Sequence, residues 1–319
     1  MKLNSGRLPE GFVLAKPVAQ AGYQEAVIYE LEKNNRLVMT RKRDGYKVLA
    51  VIYGSRVNLY TAGLNEVDGR LDHIREEIAK LRLPSGTILA GECLMDESGT
   101  DNYTEFISFF KAKHSEVNYK VKFMVFDIVF YGSKDMTLKT YSENLELTNK
   151  MLAKNKLRYV FPASVLNMTF DQAKDLVRKK GWEGLVLRDK NSRLKYRLDG
   201  KEPNRPKGCY KWKPILEDDF IATRWRPNSD NPRKMKDIII EQIDPKTKER
   251  FECGKIGGFK QAMKKQLLTA EFPFVMEVAF EHRFEKSGKL RNARFVRLRE
   301  DKPIHECIAS RSYPEAEYS

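Results

Sequence analysis

The chain has 319 residues, 41% of them hydrophobic, enough for one large core or two ordinary ones. Its 59 Lys and Arg against 44 Asp and Glu leave a net charge of +15, which favours a polyanionic partner, nucleic acid before anionic membrane. The four cysteines lack CxxC spacing, no stretch approaches 18 apolar residues, and the start has no apolar signal core. A zinc site, a disulfide framework, a membrane span and a secretory leader are therefore not expected, and a soluble intracellular protein is.

In chain order, "RLVMTRK" and "YKVLAVIY" read as strands joined through Asp44-Gly45, which predicts a hairpin. "RVNLYT" after Gly54-Ser55 is a third strand. Leu71, Ile74, Ile78 and Leu81 fall at the spacing of an amphipathic helix. "GTILAGECLM" and "YKVKFMVFDIVFY" return to strand. "SENLELTNKMLAK" is a helix with Ser142 as its N-cap. "TFDQAKDLVRKKG" is another, with a Thr169/Gln172 capping box and Gly181 at the left-handed C-terminal position. "EGLVLRD" and "CYKWKP" are short strands, and Pro214 with the acidic "EDD" punctuates the chain. Beyond it, "FIATRW", "KDIIIEQI", "FPFVMEVAF" and "NARFVRLRE", with one short helix near "FKQAMKKQLL", predict a small β-barrel. Two domains follow, residues 1–216 and 217–319.

Several residues on these elements suit chemistry on phosphates. Lys42 sits between Arg41 and Arg43. A lysine beside other cations holds its proton less firmly, and the neutral amine can attack phosphorus or a carbonyl. The plain alternative is a hairpin turn with a solvated lysine. Glu92 follows in "AGECLMD". Phe126 precedes Asp127 in an apolar strand; an aromatic at a strand end packs a core or stacks on a base. Glu183, before Gly184 at a helix-to-strand turn, can reach a metal that bridges phosphates. In "KWK", alternation puts Lys211 and Lys213 on one face and Trp212 on the other, and two parallel ammoniums call for an anion between them.

The order Lys-x-Asp-Gly, Gly-Glu, Phe-Asp, Glu-Gly, Lys-x-Lys resembles the covalent nucleotidyltransferases: ATP-dependent DNA ligases, RNA ligases and mRNA capping enzymes. "LRNARFVRLREDKP", with Arg299, Asp301 and Lys302, looks like the last motif of ATP-dependent DNA ligases. "CYKWKPILEDD" and "FECGKIGGF" are similar to small phage and bacterial members. The resemblance runs from about residue 12 to 305. It implies an α+β fold: a nucleotidyltransferase domain of ATP-grasp-like antiparallel sheets and helices, then an all-β OB-fold domain. It implies ATP as cofactor, with AMP carried covalently on Lys42, and Mg²⁺ or Mn²⁺. Glu92 would bind the ribose, Phe126 stack on adenine, and Lys47 belong to the nucleotide site. Glu183, with Glu92, would hold the metal. Lys211 and Lys213 would grip the α-phosphate, and Arg299 and Lys302 would orient pyrophosphate.

Departures from the family pattern are visible. Lys47 replaces the usual Arg of the first motif, a point charge in place of a bidentate fork. Arg188 replaces the commoner Lys after "EGLVL". Thr61-Ala62 stands where Ser-Arg usually contacts the nick phosphate, with Arg56 the nearby substitute. No separate N-terminal DNA-binding domain is expected. The basic stretch Arg224–Asp237, carrying Arg224, Arg226, Arg233, Lys234 and Lys236, reads as an insertion that closes around DNA or as a solvated loop. The expectation is therefore a monomeric ligase of the bacterial or phage-infected cytoplasm, acting in DNA repair or replication. Its partner would be nicked duplex DNA or an RNA-containing hybrid. The rivals are an RNA-strand ligase, a capping guanylyltransferase and a non-catalytic OB-fold binder.

Overall fold

The run Tyr46–Tyr53 is a strand with an unbroken buried stretch, because the sheet that contains it is covered on both faces. In the computed structural model, which describes residues 6–97, 100–113, 116–153, 156–284 and 286–313, its neighbours are Arg56–Thr61 on one side and Ile88–Glu97 on the other. Val121–Tyr131 and Lys134–Asp135 continue the antiparallel order, and Val160–Pro162 joins Val121–Tyr131 in parallel. Alternation sorts the side chains. Val48, Ala50 and Ile52 enter one core with Ile74 and Ile78 of the helix Asp72–Lys80 and Phe106 of the helix Tyr103–Lys111. Leu49 and Val51 enter the opposite core with Phe12, Ile88 and Phe130.

A second sheet is three-stranded and antiparallel: Cys209–Trp212, Gly184–Asp189, Leu37–Lys42. The helices Ala26–Lys33 and Phe170–Lys180 cover it, packing Ile28, Phe170 and Val177 on Met39, Leu185 and Trp212. The Thr169/Gln172 capping box and the left-handed Gly181 (φ +61°) are as the spacing predicted. The cap at Ser142 is not. The helix Tyr141–Ala153 is capped from Thr140, whose hydroxyl accepts from the Glu143 amide while the Glu143 carboxylate accepts from the Thr140 amide at 2.8 Å.

Nor does Asp44-Gly45 join a hairpin. Leu37–Lys42 pairs with Gly184–Asp189, whereas Tyr46–Tyr53 belongs to the larger sheet, so residues 43–45 step from one sheet to the other. Gly45 is required for space: a Cβ there would lie 2.1 Å from the Cys93 carbonyl oxygen.

The chain divides into two compact units, Met1–Lys213 and Pro214–Ser319. In the second, five antiparallel strands lie in the order Arg250–Gly257, Asn231–Ile243, Leu216–Asn228, Phe274–Phe280, Arg294–Leu298. The helix Gln261–Leu268 follows the third strand of the sequence, in the manner of an OB-fold. The acidic "EDD" does not punctuate the chain. Glu217, Asp218 and Asp219 lie within the first strand, opposite Ala279, Val278 and Glu277. The stretch Arg224–Asp237 is not a loop either. Its two strands form a hairpin turning at Ser229-Asp230, with Met235 buried and Arg226 bonded twice to Asp237 at 2.7 Å. The dense charge hid the strand pairing, and exposed and buried residues take turns only over Lys234–Asp237. Among the described residues, no helix is long and apolar enough to cross a membrane.

Candidate active site

The step between the two sheets creates a cleft inside the first unit. One wall comes from the smaller sheet. Lys42 ends its strand in register with Gly184, which places the preceding Glu183 at the lysine. The Lys42 Nζ to Glu183 Oε2 distance is 2.5 Å, and Lys213 Nζ reaches Glu183 Oε1 at 3.0 Å. Gly184 makes this approach possible: its φ is +154°, and a Cβ would meet the Trp212 carbonyl oxygen at 2.1 Å. Lys211 pairs in register with Val186, and its carbonyl accepts from the Tyr23 hydroxyl at 3.2 Å.

The other wall comes from the larger sheet. Lys47 and Glu92 are register partners. Burial pushes the Glu92 carboxyl up to about 7, with Lys42 opposing and Glu183 adding to the rise. Burial likewise lowers the Lys47 ammonium to about 8, against the pull of Glu92 and Asp127. Phe126 lines the cavity between the walls, with Leu14, Thr40, Tyr141 and Cys209. Below it lies a pair that the motifs did not announce. Asp127 is 1% exposed and receives two bonds from Arg188, at 2.6 and 2.8 Å. Arg188 also lies 4.2 Å over the Tyr141 ring. Burial works against both charges; the Asp127 carboxylate outweighs it and holds the Arg188 guanidinium above its ordinary value. The arginine at this position thus makes a bidentate buried pair, a geometry that lysine cannot reproduce.

The cationic setting that the sequence suggested for Lys42 is not what its amine meets. Its close partner is a carboxylate, while Arg41 and Arg43 reach Asp101, and Arg43 also Asp96. Arg56 stands at the start of its strand, the far end from Thr61, and borders an open hollow with Glu66, Asp68, Asp72 and Glu76. That hollow is larger than the Lys42 cavity, yet its four carboxylates make it a poor host for a phosphate.

Arg299 and Lys302 belong to the second unit and share one partner that sequence reading passed over. The buried Asp219 carboxylate accepts two bonds from Arg299, each at 2.9 Å, and one from Lys302 at 2.7 Å. Arg299 also bonds Asp301 at 2.9 Å. Arg224, Arg233, Lys234 and Lys236 are exposed on the hairpin; Arg226 is engaged by Asp237.

The family model described as ATP dependent DNA ligase domain matches residues 13–213. The curated DNA ligase of Archaeoglobus fulgidus is 27% identical over 299 residues, covering 83% of this chain and 52% of the relative. The SPbeta prophage-derived DNA ligase-like protein LigB of Bacillus subtilis is 26% identical over 154 residues, 47% of this chain and 53% of that one. The chain spans about half the length of these curated relatives. Among solved structures, a chain described as Pmar-Lig_Pre. superposes with a TM-score of 0.66 at 17% identity, covering 90% of this chain and 67% of that one. A second, from a study of Lig E DNA ligases, gives 0.64 at 15% identity and covers 90% and 99%. These likenesses carry the fold.

Proposed function

The chain belongs to the family of ATP-dependent DNA ligase domains, and from that premise we propose that it seals nicks between a 5′-phosphate and a 3′-hydroxyl in duplex DNA, using ATP. The observation that carries the reading is the sharing of Glu183 by Lys213 and by Lys42, which lines the cavity together with Phe126. Lys42 Nζ attacks the α-phosphate of ATP, a P–N bond forms, the bond to pyrophosphate breaks, and the lysine proton leaves. Glu183, 2.5 Å away, is placed to take that proton. Lys213, with Lys211 from the same strand segment, offsets charge on the phosphoryl oxygens. An oxygen of the nick's 5′-phosphate then attacks the AMP phosphorus; a P–O–P bond forms, the P–N bond breaks, and Lys42 leaves as the amine. The 3′-hydroxyl attacks the 5′-phosphate, and AMP leaves.

On the other wall, Phe126 offers a face to the base, and Lys47 and Glu92 offer a donor and an acceptor to the ribose. The charge of Glu183 adds to the rise of the Glu92 carboxyl. That donor set fits a hard divalent cation such as Mg²⁺, which takes one or two carboxylates and completes its shell with phosphate oxygens and water. Among the described residues, no cluster of three or more acidic, His or Cys side chains offers a self-sufficient metal cage. The cation would supply positive charge to the phosphates.

Incubation with ATP labelled at the α-phosphate tests the reading. Wild-type protein should become labelled, and the label should map to Lys42. Lys42→Ala should take no label while still binding nicked duplex. Label that persists in the variant on another lysine would overturn the assignment. GTP and NAD⁺ should fail to label the protein.

A further inference from the structure

The arginines that flank Lys42 take part in a second arrangement. Alternation turns Arg41 away from the side where Lys42 meets Glu183, and Arg43, just past the strand's end, reaches the same acceptor as Arg41. There Arg41 lies 3.1 Å and Arg43 2.8 Å from Asp101, and Asp101 also accepts a 2.9 Å hydrogen bond from the Asp44 amide. One carboxylate, with a side chain only 5% exposed, therefore holds the residues one before, one after and two after Lys42. The same segment braces the turn again further on. Asn102 caps the helix Tyr103–Lys111, accepting from the Glu105 amide at 3.2 Å, and Phe110 of that helix stacks on Tyr46 at 5.0 Å. Gly45 lies between these two ties, against the Cys93 carbonyl. Burial raises the Asp101 carboxyl, and Arg43 and Arg41 draw it back. An aspartate in this place is otherwise a costly element of a core.

The geometry points to Asp101 as a positioning residue for Lys42. It fixes the step between the sheets so that the amine is presented in line to the α-phosphate. This rests on the reading of Lys42 as nucleophile. Asp101 touches no reacting atom; it acts through the backbone and the arginines on either side.

The full chain should be assayed for single-turnover lysyl-AMP formation and for sealing of a nick that already carries AMP on its 5′ end. That sealing requires a folded protein but no attack by Lys42. Asp101→Ala should lower lysyl-AMP formation at saturating ATP by about 100-fold, the scale of a misplacement of roughly 1 Å. Half-saturation by ATP and sealing of the adenylylated nick should each stay within about threefold, as expected when the interaction removed is felt only in the transition state. Asp101→Asn keeps an acceptor for the Asp44 amide without the charge and should lose about 10-fold in the same step. Asp96→Asn, which leaves the Asp101 bond to that amide in place, should stay near wild type. Should Asp101→Ala fail to fold, Asp101→Asn decides by the same split. Equal loss in all measurements would reduce Asp101 to a structural residue and overturn the inference, as would wild-type rates. If the wild-type label maps elsewhere than Lys42, the nucleophile reading fails; label on Lys42 with unaffected Asp101 variants refutes this inference alone.

Discussion

Glu183 holds Lys42 and Lys213 at once, with one carboxylate oxygen 2.5 Å from the first ammonium and the other 3.0 Å from the second. The two lysines come from the strand Leu37–Lys42 and from the residue after the strand Cys209–Trp212, which flank Gly184–Asp189 on opposite sides. Glu183→Gln keeps the shape and removes the anion between them. Lysyl-AMP formation should fall by about 100-fold, the usual scale for removing one electrostatic interaction from a transition state. Quench-flow with labelled ATP measures it, and a rate within a factor of a few of wild type would show that the carboxylate charge is dispensable.

Gly184→Ala should destabilise the first unit. The added methyl meets the Trp212 carbonyl oxygen at 2.1 Å, and the backbone stands at φ +154°. Either the two strands separate or the dihedral changes, at a cost of about 3 kcal/mol or more. Urea denaturation should show the midpoint falling. The same substitution at Gly181 meets no neighbour within 4 Å, so only its left-handed conformation is penalised, at roughly 1 kcal/mol.

The Lys47–Glu92 pair should leave a mark on stability against pH. Glu92 rises from an ordinary 4.5 to about 7 in the fold, so between those values the folded state binds more protons and stability falls as pH rises. Lys47 drops from 10.5 to about 8, so between those values the unfolded state binds more and stability climbs with pH. The two groups together contribute a minimum near pH 7 to 8. Glu92→Gln removes the acid-side slope. Its stability relative to wild type should therefore improve between pH 5 and pH 7.5, by on the order of 2 kcal/mol. A difference that stays flat over that range would mean that Glu92 ionises as an ordinary carboxylate.

Lys302→Ala separates two roles for the cations bound to Asp219. The resemblance of the last motif implies that charge here would act while pyrophosphate departs, when negative charge builds on the β-phosphate. Lysyl-AMP formation should fall by about 100-fold, with sealing of a pre-adenylylated nick retained. A variant that labels itself normally and fails on the adenylylated nick would place the charge at DNA instead. If neither step changes, Lys302 does no more than pair with Asp219.

Removing charge from the exposed hairpin by substituting Arg233, Lys234 and Lys236 together with Ala should weaken nicked-duplex binding and flatten its salt dependence. For every phosphate that the hairpin no longer neutralises, the slope of log K against log salt should shrink by about 0.9. Self-labelling with ATP should not change. Met235 and Asp237 are left in place, because they hold the hairpin to its core and to Arg226. An unchanged slope would exclude the hairpin from the duplex interface.

Much of the site was legible along the chain, because its parts are local. Lys42, Glu183 and the lysines around Trp212 stand beside glycines or on alternating strands, where backbone geometry fixes a side chain's direction whatever lies beyond. The capping box at Thr169 and the barrel-like spacing of strands after residue 216 are local in the same way. What the chain could not disclose is which strand pairs with which. Asp44-Gly45 carries the turn chemistry of a hairpin, yet Leu37–Lys42 finds its partner far along the chain, with Lys42 opposite Gly184, and the cleft exists only because of that choice. The partners of the charged residues are equally non-local. Asp101 joins Arg41 and Arg43 across the strands Tyr46–Tyr53, Arg56–Thr61 and Ile88–Glu97 and the helix Asp72–Lys80, Asp127 and Arg188 lie 61 positions apart, and Asp219 and Lys302 lie 83 apart. Burial strengthens such pairs and makes leaving either member alone costly, so only the assembled fold decides which charges neutralise one another and which stay free to meet a phosphate.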